Sequence, residues 1–280
     1  MTPMIHVFCV LVQVILNNAE NCNNMGTLLY EDLGCIPQYS ESNKNSLCPI
    51  KYSCKGLGPW YDYCHFRGNT YELSQMVEKN LTSLSCDESC VCSNFFTGYN
   101  FNCAILDCPE WLGELIPEGC YRKYTLEHCC STERACFPFD EIDEIAKCVI
   151  DGEEYLEGQY FYPRNSCLKC ICQEGFKGKL EEPFCKRITC GEQLKHAIFL
   201  QKICAPVYYK RKDEPFCCPN YWICANGSEV IRGETISDYV CMFGERTLKV
   251  GEWFKNGDEI LCECLIPPLV TCHLFDKYDA

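Results

Sequence analysis

Apolar residues along this chain come in short runs, broken by Gly, Pro and charged side chains. Three runs have the composition of short strands: Tyr155–Tyr162 (YLEGQYFY), Lys186–Thr189 and Ala205–Tyr209. No long window carries a helical period, and only Leu73–Leu84 is suited to a short helix. The pattern predicts a mainly β protein of small antiparallel sheets and long loops. The most apolar run, Ile5–Leu16, is too short to span a bilayer but matches the apolar part of a signal peptide. Residues 1–19 are read as that leader, cut near Ala19, in preference to a buried strand or helix. No later run reaches the length of a membrane span, so no membrane insertion is expected.

Cysteine changes this picture most. The chain has 29 cysteines in 280 residues, the density of a disulfide scaffold. Cys9 lies in the leader, which leaves an even number for the rest. A reducing cytosol does not maintain so many bridges, so a secreted, extracellular protein is expected. Cytosolic enzymes, nuclear factors and disordered chains are correspondingly disfavoured. The net charge of −14 argues against nucleic acid or anionic membrane as a partner. Two sequons, Asn80-Leu81-Thr82 and Asn226-Gly227-Ser228, are expected to carry glycans at surface positions.

The cysteines also form a repeat. One set runs Cys64, Cys86, Cys90, Cys92, Cys103, Cys108, Cys120, Cys129, Cys130, Cys136. The next runs Cys148, Cys167, Cys170, Cys172, Cys185, Cys190, Cys204, Cys217, Cys218, Cys224. Both share a C-x-C, a gap of five after the fifth cysteine, an adjacent pair and a final gap of six. The flanks echo parts of this grammar. Cys35, Cys48 and Cys54 with their neighbours match the end of a set, and Cys241, Cys262, Cys264 and Cys272 match the start of one. Gly158-Gln159-Tyr160-Phe161 is likewise echoed by Gly251-Glu252-Trp253-Phe254. The chain therefore divides into a leader (1–19), the back half of a repeat (20–58), two full repeats (59–138 and 139–228) and a front half (229–280).

The C-x-C and C-C-P-x-Y elements, in this ten-cysteine order, resemble the von Willebrand factor type C domain. The resemblance covers nearly all of residues 22–272. Residues 148–224 fit best; in the preceding repeat Ser131 replaces the Pro after the adjacent pair. It implies a pairing of first with fourth, second with eighth, third with fifth, sixth with ninth and seventh with tenth. On this chain that gives Cys64–Cys92, Cys86–Cys129, Cys90–Cys103, Cys108–Cys130 and Cys120–Cys136. It then gives Cys148–Cys172, Cys167–Cys217, Cys170–Cys185, Cys190–Cys218 and Cys204–Cys224. In the halves it gives Cys22–Cys48, Cys35–Cys54, Cys241–Cys264 and Cys262–Cys272. Leu47 stands where an eighth cysteine belongs and Glu259 near where a second belongs. Those two would be partners across a full repeat, and a lone half needs neither.

Each full repeat is small enough that an apolar core alone supplies little stability, and bridges make up the difference. An elongated array whose repeats touch chiefly their neighbours is expected, with linkers at Lys55–Tyr63, Phe137–Lys147 and Ala225–Val240 that permit bending.

Chemistry has few footholds. The C-x-C, Cys167-x2-Cys170 and Cys217-Cys218 elements would suit zinc or redox work only as free thiols, so no metal or cofactor is expected. The run Asp140–Glu144 lacks the spacing of a calcium loop and reads as solvated linker. His65, His128, His196 and His273 are scattered, without a nucleophile–base set, so no enzyme is expected. Trp60, Tyr61, Tyr63, Tyr160, Phe161, Trp253 and Phe254 are read as core first and as a binding patch second. The resemblance implies binding of an extracellular protein: a growth factor of the bone-morphogenetic-protein or TGF-β type, as for chordin and kielin/chordin-like proteins, or a matrix protein. The alternatives are a structural matrix component and a protease inhibitor presenting Lys210-Arg211-Lys212. Sequence leaves the oligomeric state open.

Overall fold

The computed structural model describes residues 25–40, 48–82, 86–95, 98–136, 146–210 and 216–275. The expected leader (1–19), Cys22, Asp140–Glu144 and Arg211-Lys212 lie outside the described residues. No described helix is long and apolar enough to cross a membrane.

Short strands alternate with turns throughout, and the elements group into two kinds of module. Back modules hold the later cysteines of a repeat, and front modules hold the first five. In chain order, back module 1 carries α1 (Thr27–Asp32), β1 (Ile36–Gln38) and β2 (Lys51–Ser53). Front module 2 carries β3 (Cys64–Phe66), β4 (Asn69–Tyr71), α2 (Lys79–Thr82), β5 (Asp87–Phe95) and β6 (Gly98–Ile105). Back module 2 is the hairpin β7 (Cys120–Lys123) and β8 (Glu133–Cys136) with its preceding loop. Front module 3 carries β9 (Lys147–Ile150), β10 (Glu153–Leu156), β11 (Tyr160–Phe161), β12 (Leu168–Ile171) and β13 (Cys185–Arg187). Back module 3 carries α3 (Glu192–Lys195), α4 (Ala197–Gln201), β14 (Ala205–Lys210) and β15 (Tyr221–Ile223). Front module 4 carries β16 (Ser237–Phe243), β17 (Arg246–Val250), β18 (Trp253–Asn256), β19 (Ile260–Glu263) and β20 (Thr271–Phe275).

The three front modules share one register. The first cysteine of each faces the residue seven further on: Cys64 with Tyr71, Cys148 with Tyr155, Cys241 with Leu248. The next turn also recurs. The amides of Ser74, Gly158 and Gly251 donate to the carbonyls of Cys92, Cys172 and Cys264. The side chains of Gln75, Gln159 and Glu252 each accept the amide three residues earlier. The turn needs a positive φ, which Gly158 (86°) and Gly251 (98°) adopt freely and Ser74 (68°) adopts at a cost. This turn splits the YLEGQYFY run into β10 and β11. It also overrides the helix expected over Leu73–Leu84: Met76 bridges to Val91 in extended form, and only Lys79–Thr82 is helical among the described residues there.

Back modules share a hairpin closed by the seventh and tenth cysteines, with Pro37 opposite Tyr52, Tyr121 opposite Ala135, and Pro206 opposite Trp222. The residue before the seventh cysteine is left-handed in all three, at Gly34 (72°), Gly119 (76°) and Ile203 (52°). In back modules 1 and 3 it ends a helix in the same way, with Cys35 N bonded to Tyr30 O and Cys204 N to Phe199 O.

Thirteen bridges join described cysteines. They are Cys35–Cys54, Cys64–Cys92, Cys86–Cys129, Cys90–Cys103, Cys108–Cys130, Cys120–Cys136 and Cys148–Cys172. The others are Cys167–Cys217, Cys170–Cys185, Cys190–Cys218, Cys204–Cys224, Cys241–Cys264 and Cys262–Cys272. Cys48 is also disulfide-bonded. These are the partners the resemblance implies for those residues. Cys170–Cys185 and Cys262–Cys272 join residues directly opposite on paired strands, which fixes strand register covalently.

The chain does not run as an extended string of neighbours. Back module 1 seats α1 on front module 4, and back module 3 seats α3 and α4 on front module 2. The Tyr30 hydroxyl donates to Ile266 O (2.7 Å) and accepts from Leu269 N (3.0 Å), across more than 230 residues of sequence. Leu29, Leu33, Leu200 and Leu269 close one buried cluster around it. Leu194 and Ala197 enter another with Trp60, Phe66 and Phe101. Gln201 donates to Tyr99 O. Asp32 ties three modules together: it accepts the amides of Cys190 and Gly191 and pairs with Arg67. β14 pairs in parallel with β20, so one five-stranded sheet (β15-β14-β20-β19-β18) spans back module 3 and front module 4. The physical reason is incomplete burial: the helices expose apolar faces that small modules cannot cover alone. The linkers are held for the same reason. Gly58 N donates to Leu200 O and Trp60 Nε1 to Gly56 O, while Arg246 grips the carbonyls of Gly227 and Glu229.

Candidate functional site

The aromatic residues singled out from sequence separate by position. Trp60, Phe161 and Phe254 are core. Trp60 meets His65 and Phe101 edge-on, and Phe254 lies against Phe243. Tyr61 and Tyr63 are exposed, which corrects their reading as core: they follow Trp60, and of the three rings only that of Trp60 is buried. Tyr160, Trp253 and Met76 occupy equivalent places in the three front modules, yet their surroundings differ. Trp253 is covered by the strand-like pairing of Arg232, whose guanidinium lies over its ring. Met76 is exposed. Tyr160 faces a neighbouring module.

That neighbour is back module 2. Tyr124 N donates to Gly158 O (2.8 Å), and the Tyr121 hydroxyl donates to Glu157 O (3.0 Å). Lys186 pairs with Glu127 and Lys123 with both Glu133 and Glu157. The Tyr124 and Tyr160 rings meet edge-on at 4.6 Å, and Tyr162 continues the row at 5.7 Å. The Lys169 ammonium sits 4.5 Å from the Tyr160 ring centre. Between the modules lies an open cleft of about 650 Å³, bounded by Ile116, Tyr121, Arg122, Tyr124, Tyr155 and Tyr160.

Burial pushes up the phenols of Tyr121 and Tyr124. The hydrogen bond from Tyr155 to Glu153, followed by burial, does the same at Tyr155. All three stay neutral donors at ordinary pH. Burial holds the Lys169 ammonium below the usual lysine range. Glu114 binds Arg122 at 2.7 Å and leaves its planar group fixed at the cleft edge. Tyr and Arg bury large areas with little loss of side-chain freedom, as interfaces favour.

Other candidates fall as follows. Asn80 and Asn226 are exposed, the second in a turn where its own side chain accepts from Ser228. His128 bonds Thr125 at the surface, and His196 bonds Glu192. The sulfurs of Cys86, Cys108 and Cys129 lie within 4.8 Å of one another, but all three are in bridges and offer no thiolate. Sequence reasoning missed Tyr121, Tyr124 and Tyr155. The one available signal was three tyrosines near the ends of hairpins whose partners face each other.

Comparison with known proteins adds one relation. The chain is 28% identical over 148 residues, 51% of its length, to a von Willebrand factor C and EGF domain-containing protein of Mus musculus. The match spans 13% of that protein's length. No protein-family model matches, and no solved structure matches. The chain is thus a small disulfide-rich β protein similar in part to a protein containing von Willebrand factor C domains. Its bridges are consistent with an oxidising, extracellular setting.

Proposed function

We propose that this is a secreted, non-catalytic extracellular binding protein, glycosylated at Asn80 and Asn226, that engages a growth factor of the bone-morphogenetic-protein or TGF-β type or a matrix protein. The observation that carries the reading is the tyrosine- and arginine-lined cleft between back module 2 and front module 3. It is concave and lined by aromatic rings, and disulfide-stiffened hairpins form its walls. A rigid surface of this kind lowers the ordering cost of association. The similarity to a protein with von Willebrand factor C domains supports the same reading.

The experiment is a binding panel of purified growth-factor dimers and matrix proteins against the folded, non-reduced protein. Saturable binding of one ligand, weakened at least about tenfold by Tyr124→Ser or Tyr160→Ser, is expected if these rings are anchors. Absence of saturable binding across the panel, or binding indifferent to both substitutions, would count against it.

A further inference from the structure

Three back modules alternate with three front modules, and four of the six are mated. Back module 1 sits on front module 4, and back module 3 sits on front module 2. Each uses the segment that precedes its seventh cysteine. In back module 1 this segment buries Leu28, Leu29 and Tyr30, and in back module 3 it buries Leu194, Ala197 and Leu200. Back module 2 has the corresponding segment, Pro109 to Gly119, with no helix in it. Its Trp111, Leu112 and Leu115 are 56%, 76% and 87% exposed.

This loop is inverted relative to an ordinary surface. Two of its acidic side chains bind its own module: Glu110 accepts from the amide and hydroxyl of Ser131, and Glu114 holds Arg122 and Arg134. The hydrogen bonds hold the loop in place, and its apolar side chains point away. A monomeric surface has no reason to fix that orientation. Front module 3 is left over in the same way. Its buried cluster takes in no side chain of a helical segment, and α1 reaches it through the Glu31–Arg187 ion pair at 2.6 Å. Val149 holds the place of His65, which in front module 2 packs on Trp60, yet Val149 is 65% exposed.

We propose that the chain forms a two-fold dimer in which the Trp111–Leu115 loop of each copy docks on front module 3 of the other. The occupant follows from the molecule's own rule. Within one chain, two back–front pairs, back module 1 with front module 2 and back module 3 with front module 4, already exchange their helical segments reciprocally. The remaining pair, back module 2 with front module 3, is joined through Tyr124 and Gly158, but its Trp111–Leu115 loop has no such seat among the described residues of its own chain. Reciprocal contacts close on themselves, so the assembly stops at two. The high net negative charge disfavours an anionic lipid surface as the alternative occupant.

Sedimentation of the full, disulfide-intact protein over a concentration series tests this without any ligand, so its outcome is independent of the binding proposal. A dimer is expected. Trp111→Ser, Leu115→Ser and Val149→Glu should each weaken it about 100-fold or more, because each change acts twice in a symmetric contact. Mixing Trp111→Ser with Val149→Glu should restore association above either variant alone. One intact loop then meets one intact face, whereas each homodimer has none. These side chains are solvent-exposed, and an unchanged disulfide map and circular dichroism spectrum would verify folding. A monomer at every concentration, a dimer unaffected by the substitutions, or a mixture no tighter than its components would overturn the proposal.

Discussion

Tyr30→Phe is the sharpest test of how the first and fourth segments close on each other. The ring is fully buried, and burial pushes its phenol far above the ordinary range, so the hydroxyl stays protonated and donates. It serves two backbone groups, Ile266 O at 2.7 Å and Leu269 N at 3.0 Å. Phenylalanine keeps the packing and leaves both unpaired in a dry cluster. Each unmet buried group costs about 1–3 kcal/mol, so a combined loss of about 2–4 kcal/mol is expected, with some relaxation. The urea midpoint of the disulfide-intact protein reads the total. Amide exchange at Leu269 reads the cause, since that N–H loses its acceptor. Tyr61→Phe, at an exposed ring, should change stability by less than about 0.5 kcal/mol. If Tyr30→Phe matched that control and Leu269 exchanged as in the parent, the closed arrangement would be wrong.

Three further outcomes follow from buried or strained positions. Burial raises the Glu192 pKa, against the lowering effects of Trp222 and His196, with Asp32 also raising it. A raised folded pKa contributes stability that is present below the unfolded value and lost as pH rises through the folded one. Glu192→Gln should therefore lose stability relative to the parent at acid pH and gain it toward neutrality; parallel urea midpoints from pH 4 to pH 7 would refute this. Ser74→Gly removes a left-handed backbone strain and should stabilise front module 2 by about 0.5–1 kcal/mol. The reverse change, Gly158→Ala, places a Cβ 2.6 Å from Lys123 Cγ and should loosen the cleft, read as lower thermal stability.

Local structure was legible in the sequence wherever covalent spacing dictates it. The echo of Gly158-Gln159 in Gly251-Glu252 marks a recurring turn. The same turn at Ser74-Gln75 was hidden, because serine does not announce a positive φ, and so Leu73–Leu84 read as helix. The short helices were also hidden. Thr27–Asp32 and Ala197–Gln201 are too short for a helical period to register, and their apolar faces make sense only against modules distant in sequence. For the same reason the folding back of the array was not foreseen. Nothing in the residues near Tyr30 reveals that the partners are Ile266 and Leu269. The tyrosine cleft is a meeting of two hairpins from different repeats, so no single motif contains it.

All of these conclusions rest on front and back modules as separately bridged units. Peptide mapping of the folded, non-reduced protein tests that most directly. The account predicts Cys22–Cys48 and Cys35–Cys54 at one end, Cys241–Cys264 and Cys262–Cys272 at the other, and front-to-back bridges only at Cys86–Cys129 and Cys167–Cys217. A bridge joining cysteines of different segments, such as Cys35 with Cys272, or a free thiol between Cys22 and Cys272, would contradict it.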